Sequence, residues 1–185
     1  THVRLGAVAL CLSATSFGCA DEPGPPPSEF RTTAAVEEVM RYIIDPAADA
    51  VWDAVVIEVG PQGTIEKVPT SGEDWAMLRR HAMTLVEGTN LLLMEGRRVA
   101  VPGSRSEMPG VDLEPEEIEA LLASDRPAWN QFVGALHASG LVVLDAVDRR
   151  DVDALLVAGD QLDLTCENGH LRYWYPGLAS PDSAN

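Results

Sequence analysis

The sequence predicts an all-α fold, an antiparallel four-helix bundle with a long crossing connection and one short extra helix, on three observations. Four segments carry apolar residues at spacings of three and four, the pattern of amphipathic helices. Two or three of the links between them are tight and one is long, as such a bundle requires. No strand pattern competes for any of the four.

The first element opens after Thr32 and Thr33, which suit helix N-caps. There "AAVEEVMRYIIDPAADAVWDAVVIEV" places Val36, Met40, Ile43, Ala47, Val51 and Val55 on one stripe. This predicts one long helix, kinked where Pro46 removes an amide donor. "GPQGTIEKVPTSG" reads as a turn-rich break. Ser71 with Asp74 forms a capping-box pattern, and the helix it opens carries Trp75, Leu78, Ala82, Leu85 and Thr89 on one face. "EGRRVAVPGSRSEMPGVDLEP" is the crossing connection and "EPEEIEALLAS" the short extra helix. The third long helix opens at Asp125 with Pro127 in its first turn, and its stripe is Trp129, Phe132, Leu136, Gly140, Val143 and Val147. Asp151 caps the fourth, which turns Leu155, Leu162 and Cys166 inward and ends around His170.

With 185 residues, 46% of them hydrophobic, the chain suits one domain with a real core. A formal charge of −16 repels phosphate backbones, so nucleic acid is not an expected partner. Residues 1–18 read as an export segment: Arg4, an apolar run from Leu5 to Leu12, then small residues. "SFGC" followed by "ADEPGPPPS" resembles a bacterial lipobox, with Cys19 as lipid acceptor and lipid anchor, although Ser16 stands where leucine is usual. A plain secretory signal that contains a cysteine is the other reading, and both place the protein in the periplasm. Residues 19–31 are a Pro/Gly-rich tether, 32–178 the helical domain and 179–185 a tail. Once Cys11 is removed and Cys19 acylated, Cys166 is left without a disulfide partner.

Cys166 belongs to "CENGH". The c-type haem attachment signature is C-x-x-C-H, and here Gly169 stands at the second cysteine. On a helix Cys166 and His170 share one face, about one turn apart. "VMRYIIDPAADAVWDAV" early in the chain, together with "CENGHLRYWYP" near its end, resembles the cytochrome c′ and related class II cytochrome c family, over residues 34–176. That resemblance implies an exported haem-binding bundle, with haem attached near the end of the last helix. It implies His170 as axial iron ligand, Cys166 as the first thioether cysteine and Met40 as the sixth ligand in a six-coordinate form. Gly169 departs from the family pattern, so attachment is expected through at most one thioether. The family implies electron transfer or small-ligand binding at the iron and no enzymatic activity. A redox partner protein is then expected, and the acidic surface favours a basic one. Monomer and homodimer both stand open.

Against this, Met40 suits a core position, filling an irregular gap, and that is the favoured reading of its spacing. Trp52 and Trp129 suit core anchors, and Tyr173, Trp174 and Tyr175 suit either a haem-edge shield or an aromatic plug. Arg97, Arg98 and Arg105 are candidates for haem propionates or plain surface charge. Glu167 and His170 form a Glu-x-x-His pair, but a di-iron site needs a second copy, and neither His81 nor His137 has a glutamate three residues before it. His137 is expected at a half-buried rim. A haem-free envelope lipoprotein, acting as an interaction module, is the alternative to the haem protein.

Overall fold

The computed structural model describes residues 30–61 and 63–179. The export segment, Cys19, the tether as far as residue 29 and the tail beyond 179 lie outside the described residues.

The first long helix is built in three pieces: α1 (Val36–Val39), a π-helical turn (Met40–Ile44) and α2 (Asp45–Trp52). Thr32 and Thr33 do not cap it. Ala35 takes that position, with its backbone N–H donating to Glu38 Oε2 at 2.9 Å. The amides of Val36 and Glu37 donate to the carbonyls of Arg98 and Val99, both at 2.9 Å, so a distant loop satisfies donors that a helix start leaves free. The disturbance expected at Pro46 takes the form of the π turn ahead of it. Pro46 offers no N–H to the Tyr42 carbonyl, and its ring would press on that carbonyl in an ordinary turn. Widening the turn, so that Asp45 N–H donates to Met40 O, relieves both problems. The extra residue rotates the rest of the helix. Val36 and Met40 are half-buried, and from the end of the turn onward the buried residues are Ile44, Ala47, Ala48 and Val51, with Ile44 in the place predicted for Ile43.

The predicted helix to residue 59 is a second correction. It ends at Trp52, and Val56–Gly60 (β1) pairs antiparallel with Gly63–Lys67 (β2), Val56 opposite Lys67 and Gly60 opposite Gly63. Val55, Val56, Ile57 and Val59 are β-branched, and such side chains fit a pleated strand better than a helix. Gly63 closes the two-residue turn at φ +119°, a conformation that favours glycine.

The remaining helices form where their caps predict. In α3 (Gly72–Leu92), Ser71 Oγ accepts from Asp74 N at 3.0 Å and Asp74 Oδ2 accepts from Ser71 N at 2.8 Å, the two halves of a capping box. Trp75, Leu78, Ala82, Leu85 and Thr89 are all buried. The connection 93–114 leads to α4 (Pro115–Ser124). Asp125 Oδ1 caps α5 (Arg126–Arg149) through Ala128 N, and Asp151 Oδ1 caps α6 (Val152–Tyr173) through Ala154 N. Between them Arg150 takes φ +53°, the left-handed residue that turns one helix into the next.

The fold is all-α apart from the hairpin. α3 packs on α5, α5 on α6, and α2 on both α3 and α6, around one hydrophobic core. Trp52 Nε1 donates to Gly159 O at 3.1 Å, tying α2 to α6; Trp129 Nε1 donates to Leu92 O at 3.0 Å, tying α5 to α3. Two glycines sit at tight helix approaches. A Cβ on Gly88 would lie 2.8 Å from Ile44 Cδ1 and 2.9 Å from Ile43 Cγ2, and one on Gly140 would lie 3.1 Å from Val86 Cγ2.

Candidate functional site

α6 continues three residues past His170, so "CENGH" occupies ordinary helix rather than a frayed end. Cys166, Gly169 and His170 are half-buried and line one cavity. Met40, at the start of the π turn, lines the same cavity from the first helix. Trp129, Phe132 and Leu136 of α5 and Ile118 and Leu122 of α4 supply apolar wall. The cavity offers about 170 Å³ to the centres of water molecules. One water needs about 10–15 Å³ on that measure, so the space suits a ligand rather than an isolated solvent molecule.

The connection 93–114 covers the cavity's first-helix side. Arg41 Nη2 meets Glu107 Oε1 at 2.8 Å and Ser104 Oγ donates to Glu37 Oε1 at 3.2 Å, holding the loop against the helix. Leu113 N donates to Trp174 O at 2.8 Å, holding it to the end of α6. Tyr173 is buried, with its ring edge-to-face to Trp129 at 5.3 Å and Phe132 at 5.6 Å. The His170 ring lies 5.5 Å from Trp174 and 6.0 Å from Tyr175, centre to centre.

Burial, with Asp45 and Asp163 nearby, pushes the Cys166 thiol up to about 11, so it is neutral at physiological pH. Partial desolvation also raises the Asp45 carboxyl, against the opposing pull of His170 and Arg41. Tyr175 Oη donates to Glu167 Oε2 at 2.8 Å, and burial plus that bond push the phenol up to about 12. Glu167 is thus committed to Tyr175. Among the described residues no group of three or more His, Cys, Asp or Glu could hold a metal ion. The residues lining the cavity that carry possible ligand atoms are Glu37, Met40, Glu107, Cys166 and His170.

The candidates divide plainly. Met40, Cys166, Gly169 and His170 are brought together; Cys19 lies outside the described residues. Arg97 is not free for a ligand: Nε donates to Leu91 O at 2.8 Å, Nη1 to Ala34 O and Nη2 to Met94 Sδ at 3.3 Å. Arg98 faces Glu119 at 3.9 Å, and of the three arginines Arg105 alone lines the cavity. His137 is half-buried as expected, with Nδ1 2.8 Å from Thr89 Oγ1. Since that hydroxyl donates to Val86 O at 2.7 Å, the imidazole nitrogen is the donor to it. Ser106 and Glu107 were not legible as cavity residues, because a loop far from α6 in sequence supplies them. No helix among the described residues is long and apolar enough to cross a membrane.

Compared with protein-family models, with curated proteins and with solved structures, the chain matches none.

Proposed function

We infer that this is an exported haem-binding protein resembling cytochrome c′, an antiparallel four-helix bundle made of the first helix, α3, α5 and α6. The observation that carries the reading is the convergence of Met40, Cys166, Gly169 and His170 on one apolar cavity, from opposite ends of the chain. The packing of α2 on both α3 and α6 supports the bundle. Bound there, haem iron supplies one-electron redox chemistry or a site for a small ligand. His170 would hold the iron through its imidazole, and Met40 would offer a thioether from the first helix. Trp129, Phe132 and Leu136 exclude water. Cys166 would make at most one thioether, since Gly169 offers no second thiol. The protein acts in the periplasm, anchored through Cys19 where that residue is acylated, and exchanges electrons with a basic partner protein.

Two measurements test this. The wild-type chain, made in a host that assembles c-type cytochromes, is expected to be coloured, with a pyridine haemochrome of b-type or between b- and c-type. Gly169→Cys is expected to shift it to fully c-type. A Cβ at Gly169 meets nothing within 4 Å, so the new side chain has room. A colourless wild type that Gly169→Cys does not rescue sinks the haem reading.

One feature favours a second reading, a haem-free interaction module: Leu141, Val142, Leu156, Val157 and Leu164 are exposed on α5 and α6. That module would associate with a partner equally well with and without haem supplied.

A further inference from the structure

The connection 93–114 is anchored at both ends and loose between them. At its start Arg97 donates to Leu91 O and Ala34 O, the carbonyls of Arg98 and Val99 accept from the first helix, and Val99 and Ala100 are buried. At its end Asp112 is buried and Leu113 N donates to Trp174 O. From 101 to 111 no residue is buried, and the backbone–backbone hydrogen bonds of this stretch close on itself or on Asp112. Its hydrogen bonds and ion pairs to the helices and their caps all end on carboxylates. They join Glu107 to Arg41 at 2.8 Å, Ser104 to Glu37 at 3.2 Å, Ser106 N to Glu114 Oε2 at 3.2 Å and Arg105 to Glu116 at 4.0 Å. Arg41 and Glu107 are each more than half exposed, so salt screens their pairing.

This loosely held stretch is also cavity wall. Arg105, Ser106 and Glu107 line the cavity, and they lie between Gly103 at φ +91° and Gly110 at φ +88°. Glycine passes between such conformations and ordinary ones with little steric resistance, which is what a hinge residue needs. The closed position carries a cost of its own. Ser106 Oγ is buried there without a hydrogen-bond partner, and lifting the segment gives it water. A segment with no buried anchor, a hinge at each end and screened ties opens far more readily than the whole fold unfolds.

We propose that residues 104–109 are a gate over the cavity, which swings on Gly103 and Gly110, is latched to the first helix by Arg41–Glu107 and Ser104–Glu37, and opens when these polar ties weaken. A ligand enters past this segment rather than between the packed helices. The gate rests on the cavity of the haem reading and not on iron.

Cys166, on the cavity wall, reports the opening. In the haem-free full-length chain its reaction with N-phenylmaleimide is compared with that of the smaller N-methylmaleimide at one pH, each followed at that residue by peptide mass. The ratio of the two rates cancels the ionised fraction of the thiol and leaves access. For wild type this ratio is expected to lie at least tenfold below that of the urea-unfolded chain. Ser104→Ala and Glu107→Gln are each expected to raise it about threefold; added salt raises it in wild type and does so less in Glu107→Gln. Arg79→Ala, which breaks an exposed ion pair between α3 and α5, is expected to leave the ratio as in wild type. A wild-type ratio equal to the unfolded one overturns the gate, because nothing is then closed. So does a ratio that neither gate variant moves, or one that Arg79→Ala moves as far, since that is general loosening. The haem reading is judged by the colour of the wild-type chain, so either can fail alone.

Discussion

Cys166 is where one residue's surroundings bear most on chemistry. An ordinary thiol at 9.0 is half ionised where this one, held near 11 by burial and by the carboxylates of Asp45 and Asp163, is still almost wholly protonated. Since the folded value lies above the unfolded one, the folded chain binds more protons between them. Its stability from this group is intact below about 9 and declines as pH rises toward 11. Alkylation of Cys166 in the haem-free chain, followed at that residue by peptide mass, is therefore expected to accelerate with a midpoint near 11. A midpoint near 9 would place the thiol in water. "CENGH" was legible because its residues are contiguous and one helical turn brings Cys166 beside His170. Ser106 was not, because nothing in "GSRSEMPG" tells a cavity wall from a solvated loop. Met40 could be read two ways for a related reason. Its spacing says that it faces inward, and only the packing of other helices says whether it meets core or cavity.

At the scale of the element, caps were reliable signals for α3, α5 and α6, while Thr32 and Thr33 did not cap the first helix. Ser71 with Asp74, Asp125 and Asp151 each mark a helix start to the residue, because each side chain takes up an amide the helix cannot pair itself. The first helix was harder to read because two features break its period. Its π turn adds a residue that a pattern of threes and fours does not register, and the apolar stripe runs on through Val55 into what is in fact a strand. Gly88 is where α3 meets that turn, and a Cβ there would press on Ile43 and Ile44 unless one of them shifts. Gly88→Ala gains about 1 kcal/mol of helix propensity. It also forces an overpacking cost of about 1–3 kcal/mol, because both neighbours are β-branched and stiff. A net destabilisation of up to about 2 kcal/mol is expected from urea melts and, on the proposed haem reading, a shift in the haem spectrum as Met40 moves with the turn. A variant as stable as wild type, or more so, would show that the π turn yields easily.

Charge is the property that belongs to the whole molecule. The chain carries 29 acidic against 13 Lys and Arg residues. The ion pairs between described residues, such as Arg79–Asp148 and Arg149–Asp145, are all at least partly exposed. Exposed pairs contribute a median of about 0–1 kcal/mol each and are screened by salt. Repulsion among the unpaired carboxylates acts over longer range and disfavours the compact state. Adding salt weakens both, and with −16 the repulsion is the larger of the two. The melting temperature of the haem-free chain is therefore expected to rise as monovalent salt increases from about 10 mM to about 150 mM, over which the screening length falls from about 30 Å to about 8 Å. On the proposed function, association with a basic partner is expected to weaken over the same range, because there the long-range interaction is attractive. The two opposite slopes share one cause. Thermal melts and partner titrations across one salt series measure both, and a melting temperature that falls with salt would mean that the surface pairs outweigh the net charge.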